Sequence, residues 1–242
     1  MQTPRPCCAV LELRQYTLKP GQRDALIAQF DRYFVESQEA LGMTIVGQFR
    51  DRRRADRFLW IRGFSDMPRR HSALEQFYGG AVWAEHKAAA NATMVAVDDV
   101  YLLKPARPDT AFRIDVKGRP AVGEERKPVA VLAGIHHLRE SPDAAVVSRF
   151  EERVAPALRR DGVSVESVFV TESAPNTFTR LPVREGEHVL VWFGTVQQGT
   201  DRSVQRLLAA SAPLDALSKG PPEILELDAT PRSALGHHRA RP

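Results

Sequence analysis

The chain has 242 residues, 43% hydrophobic and 26% charged, a composition for one large domain or two of roughly 100–150 residues each. No stretch approaches the roughly 20 apolar residues needed to span a bilayer, and no apolar signal-peptide core follows the polar, proline-broken Met1–Pro6. A cytoplasmic protein with no membrane partner is expected. The net charge is +4, but Asp51 and Asp56 interrupt the densest basic cluster, Arg50, Arg52, Arg53, Arg54 and Arg57. No helix-turn-helix, zinc finger or aromatic RNA platform accompanies it, so no nucleic-acid partner is expected.

Cys7 and Cys8 are the only cysteines and are adjacent. Neighbouring cysteines rarely reach disulfide geometry, and two thiols cannot form a disulfide framework or a thiolate metal site. They are expected as reduced residues at the start of a strand. Val10 to Leu18 alternates apolar and polar residues and predicts that strand. Lys19-Pro20-Gly21-Gln22 turns the chain. From Arg23 to Ala40, Leu26, Ile27, Phe30, Phe34 and Val35 recur at helical spacing, and Gly42 fits the stop. Strands Met43 to Phe49 and Arg57 to Phe64 follow, joined by the arginine-rich turn. Helices are predicted over Pro68 to Tyr78 and Ala81 to Asn91, split by Gly79-Gly80, and a strand over Asp99 to Lys104. The order β-α-β-β-α-β is the ferredoxin-like arrangement.

Residues 107–127 are rich in proline, glycine and charge and read as a linker. The pattern then restarts. Val129 to Arg139 is a predicted strand, and Asp143 to Arg160 a helix opened by Ser141-Pro142. Strands Val163 to Thr171 and His188 to Val196 are separated by a long loop. Asp201 to Ala210 is a helix and Glu223 to Leu227 a last strand. Phe58-Leu59-Trp60-Ile61 and Leu190-Val191-Trp192-Phe193 fall at corresponding third strands. The expected fold class is therefore α+β, with tandem ferredoxin-like units over 1–106 and 128–230 and a flexible tail over 231–242. A single doubly wound domain would need a parallel alternation that the adjacent strand pairs do not give. His237 and His238, adjacent in that tail, are a poor ligand set, and no metal is expected.

Three segments carry a family likeness: Leu11 to Gly21 (LELRQYTLKPG), Phe58 to Phe64 (FLWIRGF), and Phe77 to Met94 (FYGGAVWAEHKAAANATM). Together they resemble the NIPSNAP family. The resemblance covers roughly residues 9–104 and implies a dimeric α/β-barrel fold built from ferredoxin-like units, with self-association into a homodimer or higher oligomer. Here the two units would form that arrangement within one chain. It implies no single reaction. Ala81 stands where the family commonly has proline, and the second half shares layout only.

Glu12, Arg14 and Tyr16 lie at period two and share one face of the first strand, while Leu11 and Leu13 take the other face, under the helices. The neighbouring third strand would add Trp60 and Arg62 to a polar cluster on the inner sheet face. That cluster reads either as a pocket wall for an oxygen-rich aromatic or acidic small molecule, or as a structural ion pair fixing register. Trp83 and His86, three apart on a helix, share a side with Asn91. His86 is the candidate general acid or base, because its ordinary pKa lies near neutrality; a histidine capping a strand end is the structural alternative. In the second half, Ala133, Ile135 and His137 would replace Glu12, Arg14 and Tyr16, with His137 and Trp192 contributed to the wall.

The expected function is binding or transformation of a small hydrophobic or aromatic molecule in a first-unit cleft, by cofactor-free acid/base chemistry or oxygenation. His86, Tyr16 and Arg14 would be catalytic, with Glu12, Trp60, Arg62, Trp83 and Asn91 binding substrate and no cofactor. A non-catalytic association module and a haem-binding protein are the alternatives.

Overall fold

The computed structural model describes residues 7–114, 116, 118–127, 130–196 and 203–235. Eight strands are present among them: β1 (Val10–Leu18), β2 (Thr44–Asp51), β3 (Arg57–Phe64), β4 (Met94–Pro105), β5 (Ala130–His137), β6 (Val163–Thr171), β7 (Val189–Val196) and β8 (Glu223–Ala229). The first half adds α1 (Arg23–Gln29) and α2 (Val35–Glu39), continuous through a π-helical turn at Phe30–Phe34, then α3 (Met67–Gly79) and α4 (Ala81–Ala92). The second half adds α5 (Ala144–Arg149) and α6 (Ala155–Arg160), joined by a π-turn at Phe150–Val154, and α7 (Val204–Ser211).

The strands follow one another in the order β1-β3-β2-β8-β5-β7-β6-β4, and β4 pairs back to β1, so the sheet closes on itself. Each half contributes four consecutive strands. The seams between halves are short, Phe49 to Asp51 against Leu227 to Ala229 and Leu103 to Pro105 against Phe169 to Thr171. The expected α/β-barrel designation is corrected by this pairing. Every neighbouring pair is antiparallel, as the direct β2–β3 and β6–β7 connections require, so the fold is α+β with two β-rich halves and no parallel strand-helix alternation.

A second correction concerns the faces of the sheet. Leu11, Leu13, Leu59 and Ile61 pack with Val131, Ile135, Phe169, Val191 and Phe193 in one interior shared by both halves. Phe112, in the stretch expected as a linker, is buried there against Phe169 and Phe193. Val10, Tyr16, Leu18, Phe58 and Trp60 instead pack beneath the helices of the first half. The polar face of β1 therefore lies under the helices, and Leu11 and Leu13 point into the closed sheet. β1 is buried on both sides except at Thr17, so its alternation marks two faces without saying which is inner.

Smaller corrections follow from local chemistry. Asp143, not Ser141, caps α5, its carboxylate accepting from the Val146 amide. Cys7 and Cys8 are joined by a disulfide rather than reduced, with Cys8 at a φ of 70°. β4 starts five residues earlier than its apolar pattern suggests, because Met94 and Ala96 pair with Leu18 and Thr17. In the terminal stretch, Arg232 is buried and paired with Glu36, and Ser233 hydroxyl accepts from the Gln48 amide. His237, His238, Val129 and Asp201 lie outside the described residues.

Candidate functional site

The register of β1 against β3 sets Glu12 opposite Arg62, Arg14 opposite Trp60 and Tyr16 opposite Phe58. These side chains share the face covered by α3 and α4. Glu12, Arg14, Arg62 and Arg70 are all fully buried. Glu12 Oε2 accepts from Arg14 Nη1 at 2.8 Å and from Arg62 Nε at 2.8 Å, and its Oε1 accepts from Arg70 Nε at 2.7 Å. The Nη2 atoms of Arg62 and Arg70 also lie 2.7 Å from Glu12 Oε2 and Oε1 respectively, within ion-pair range but without a hydrogen bond.

One carboxylate thus faces three guanidiniums, and each arginine's other partners are neutral oxygens. Arg14 Nε donates to Tyr16 Oη at 3.0 Å, Arg62 Nη1 to Gln38 Oε1 at 2.9 Å and to Tyr78 Oη at 3.4 Å, and Arg70 Nη1 to Asn176 Oδ1 at 3.0 Å. Burial alone would raise the Glu12 pKa, but Arg62, Arg14 and Arg70 outweigh it and hold the carboxyl below the usual range. Burial also disfavours charge on Arg14; contact with Tyr16, Glu12 and Tyr78 more than offsets that and keeps it cationic. Burial raises the Tyr16 pKa, so its phenol is neutral at ordinary pH.

Beside this cluster lies a cavity of about 30 Å³, room for one or two waters. Tyr16, Phe34, Trp60, Phe77, Tyr78 and Trp83 dominate its wall, with Gln38 and Met94 adding to it. None of the lining residues is a carboxylate, an imidazole or an amine. The guanidinium of Arg14 is 5.5 Å from the Tyr16 ring centre and 5.7 Å from that of Trp60, and Arg62 is 5.0 Å from Trp60.

The structure brings Glu12, Arg14, Tyr16, Trp60 and Arg62 together and sets Trp83 on the cavity wall. It does not bring His86 there. His86 stacks on Tyr33 at 3.7 Å between ring centres, and its nearest cavity-lining ring is Phe34 at 6.4 Å. Asn91 is exposed on α4. Sequence reasoning missed Arg70, Gln38, Tyr78 and Asn176. Arg70 carried a readable signal: it heads the stripe Arg70, Ala73, Leu74, Phe77, the buried side of α3. A cation at the first position of an apolar stripe needs a buried partner, and that partner is Glu12.

The second half does not repeat the cluster. Register aligns Leu132 with Gly194, Gly134 with Trp192 and His136 with Leu190. The residues replacing Glu12, Arg14 and Tyr16 are therefore Leu132, Gly134 and His136, one position from the expected Ala133, Ile135 and His137. Those expected residues lie on the other face or at the strand end, since a one-residue slip exchanges faces. Among the described residues, no group of three or more His, Cys, Asp or Glu could hold a metal ion. No helix of the described residues is long and apolar enough to cross a membrane.

No curated protein matches the sequence. Three solved structures share the fold over nearly the whole chain. A candidate monooxygenase from Fusobacterium nucleatum superposes with a TM-score of 0.54 at 11% identity, covering 95% of this chain and 97% of its own. An anthrone oxidase-like protein gives 0.53 at 12% identity, covering 95% and 96%. A dye-decolorizing peroxidase from Bacteroides thetaiotaomicron gives 0.51 at 9% identity, covering 95% of each chain. At these identities the likeness is one of fold. Residues 11–107, the stretch that holds Glu12, its three arginines and the cavity wall, match the model of the NIPSNAP family.

Proposed function

We propose that the first half binds a small hydrophobic aromatic molecule between its sheet and its helices, and serves as the site of any chemistry on it. The observation that carries this reading is the aromatic cavity set against a buried arginine cluster. Ligand pockets are largely apolar with a few convergent polar groups. Arg14 occupies a lone pair of the Tyr16 oxygen, which leaves the phenolic proton available to a carbonyl or hydroxyl in the cavity. With no carboxylate or imidazole on the wall, the chemistry open to it is hydrogen-bond donation and stabilisation of negative charge. That suits cofactor-free oxygenation or isomerisation of an electron-rich ring better than hydrolysis. The fold neighbours described as a candidate monooxygenase and as anthrone oxidase-like lend the same direction.

A ring system larger than water must displace part of the lining. Titration of the tryptophan fluorescence with 2-naphthalenemethanol tests the reading, because Trp60 and Trp83 both face the cavity. Saturable quenching is expected, and Met94→Trp, which fills the space, is expected to weaken it about tenfold or more. Absence of saturable quenching by both this alcohol and the corresponding carboxylate, or quenching untouched by Met94→Trp, would sink this reading in favour of a purely structural association module.

A further inference from the structure

Three arginines and one glutamate buried together leave a formal charge of +2, and among the described residues no other carboxylate is in hydrogen-bond contact with them. Buried charge is costly unless it is paired and hydrogen-bonded. Arg62 and Arg70 donate their Nε groups to Glu12 and their Nη1 groups to Gln38, Tyr78 and Asn176, while their Nη2 atoms lie 2.7 Å from Glu12 without a hydrogen bond. The Nε and Nη1 of Arg14 are likewise used, and its Nη2 is also buried without a hydrogen-bond partner. The Trp60 Nε1–H is likewise buried and unpartnered, on a ring 5.7 Å from the Arg14 guanidinium. Trp60 lines the cavity, and so does Tyr16, which Arg14 holds by hydrogen bond. Buried donors are nearly always satisfied in folded proteins, by protein, water or ligand.

Resting on the reading that this cavity binds an aromatic molecule, we infer that the ligand is an anion: an aromatic body bearing a carboxylate or an ionised enol or phenol. Its acidic oxygens take the open Trp60 donor on the wall and, past Tyr16 and Trp60, the open donor of Arg14 that lies behind them. Its negative charge balances part of the cationic excess, and Glu12 is the internal counter-ion that keeps the three guanidiniums in place without one. The cluster is then more than a register-fixing ion pair, which would need one arginine rather than three.

A pair of probes that differ only in charge tests this: 2-naphthoate and 2-naphthalenemethanol, measured by calorimetry on the full chain at neutral pH. Tighter binding of the naphthoate by about tenfold or more is expected, from charge-assisted hydrogen bonds. In Arg14→Gln that preference should fall to within about threefold. Trp60→Phe, which removes one donor and no charge, should reduce the preference only in part. Equal affinity, or preference for the alcohol, in the unaltered protein overturns the anion assignment while leaving the cavity as a binding site. Binding of neither compound overturns both, and because that comparison uses the native chain it does not depend on how well any variant folds.

Discussion

Positions 14 and 134 occupy equivalent places on the central strands of the two halves, opposite Trp60 and Trp192. Arginine at the first leaves a guanidinium beside an indole. At the second, a Cβ would stand 2.3 Å from Trp192 Nε1, so only glycine lets that indole lie across the strand. The place of Tyr16 is taken there by His136, which is 1% exposed. Burial, helped by His137, depresses the His136 pKa to about 4. In the unfolded chain it would titrate near 6.5, so between those values the unfolded state binds a proton that the folded state refuses. Stability is unaffected above pH 6.5 and falls as pH drops toward 4, by on the order of 3 kcal/mol for this group. His136→Leu should therefore flatten the loss of stability over that window, read by urea unfolding at pH 7, 5.5 and 4. An equally steep decline in the variant would show that His136 is not its source.

At the scale of elements, residues 172–187 matter most, because they belong to the second half and cover the first. The Glu172 amide donates to the Leu102 carbonyl and the Arg184 amide to Val100. Asn176 holds Arg70, the Thr177 carbonyl meets His71 Nδ1 at 2.8 Å, and Phe178 stacks on Tyr78 at 5.8 Å. Phe178 is buried within the aromatic core of the first half. Since Tyr78 also lines the cavity, this strap packs on the outer side of one of its wall residues. Phe178→Ala should increase acrylamide quenching of the tryptophans and lower stability by about 3–5 kcal/mol, the usual cost of a buried phenylalanine. Unchanged quenching alongside the lost stability would mean that access runs elsewhere. The sequence could show a long loop here but not its destination, because its anchors, Asn176 and Phe178, follow no period. The arrangement of Glu12, Arg14, Tyr16, Trp60 and Arg62 was legible for the opposite reason: period two and strand adjacency fix neighbours on a sheet. Which face they took was not legible, since both faces of β1 are buried. Trp83-x-x-His86 pointed correctly to one side of a helix, but α4 touches the core only at its edge and leaves His86 stacked on Tyr33.

For the whole molecule, the two halves depend on each other through the shared interior and two short seams. The arginine-rich turn that raised a nucleic-acid question is part of one seam: Arg52 pairs with Asp228, Arg53 with Glu226 and Arg57 with Glu223, all on β8. The Arg52 and Arg53 pairs are exposed and contribute little individually, so they set register more than stability, whereas the Arg57 guanidinium is buried. The main cohesion is apolar. Leu11, Leu13, Phe49, Leu59, Ile61 and Leu103 of the first half are covered by side chains of the second. Cutting the chain after Arg107 would expose that face and leave β2 and β4 as open edges, which favours pairing with another chain. A fragment of residues 1–107 should therefore not persist as a monomer. A dimer is expected, with a second copy supplying four strands and an apolar face in place of the missing half, as measured by light scattering after size exclusion. Adding the separate 108–242 fragment should convert it to a one-to-one complex, because only that half brings Glu226, Asp228 and the strap to match Arg52, Arg53 and Arg70. A stable, well-folded monomer of the first fragment would refute the claim that the shared interior holds the molecule together.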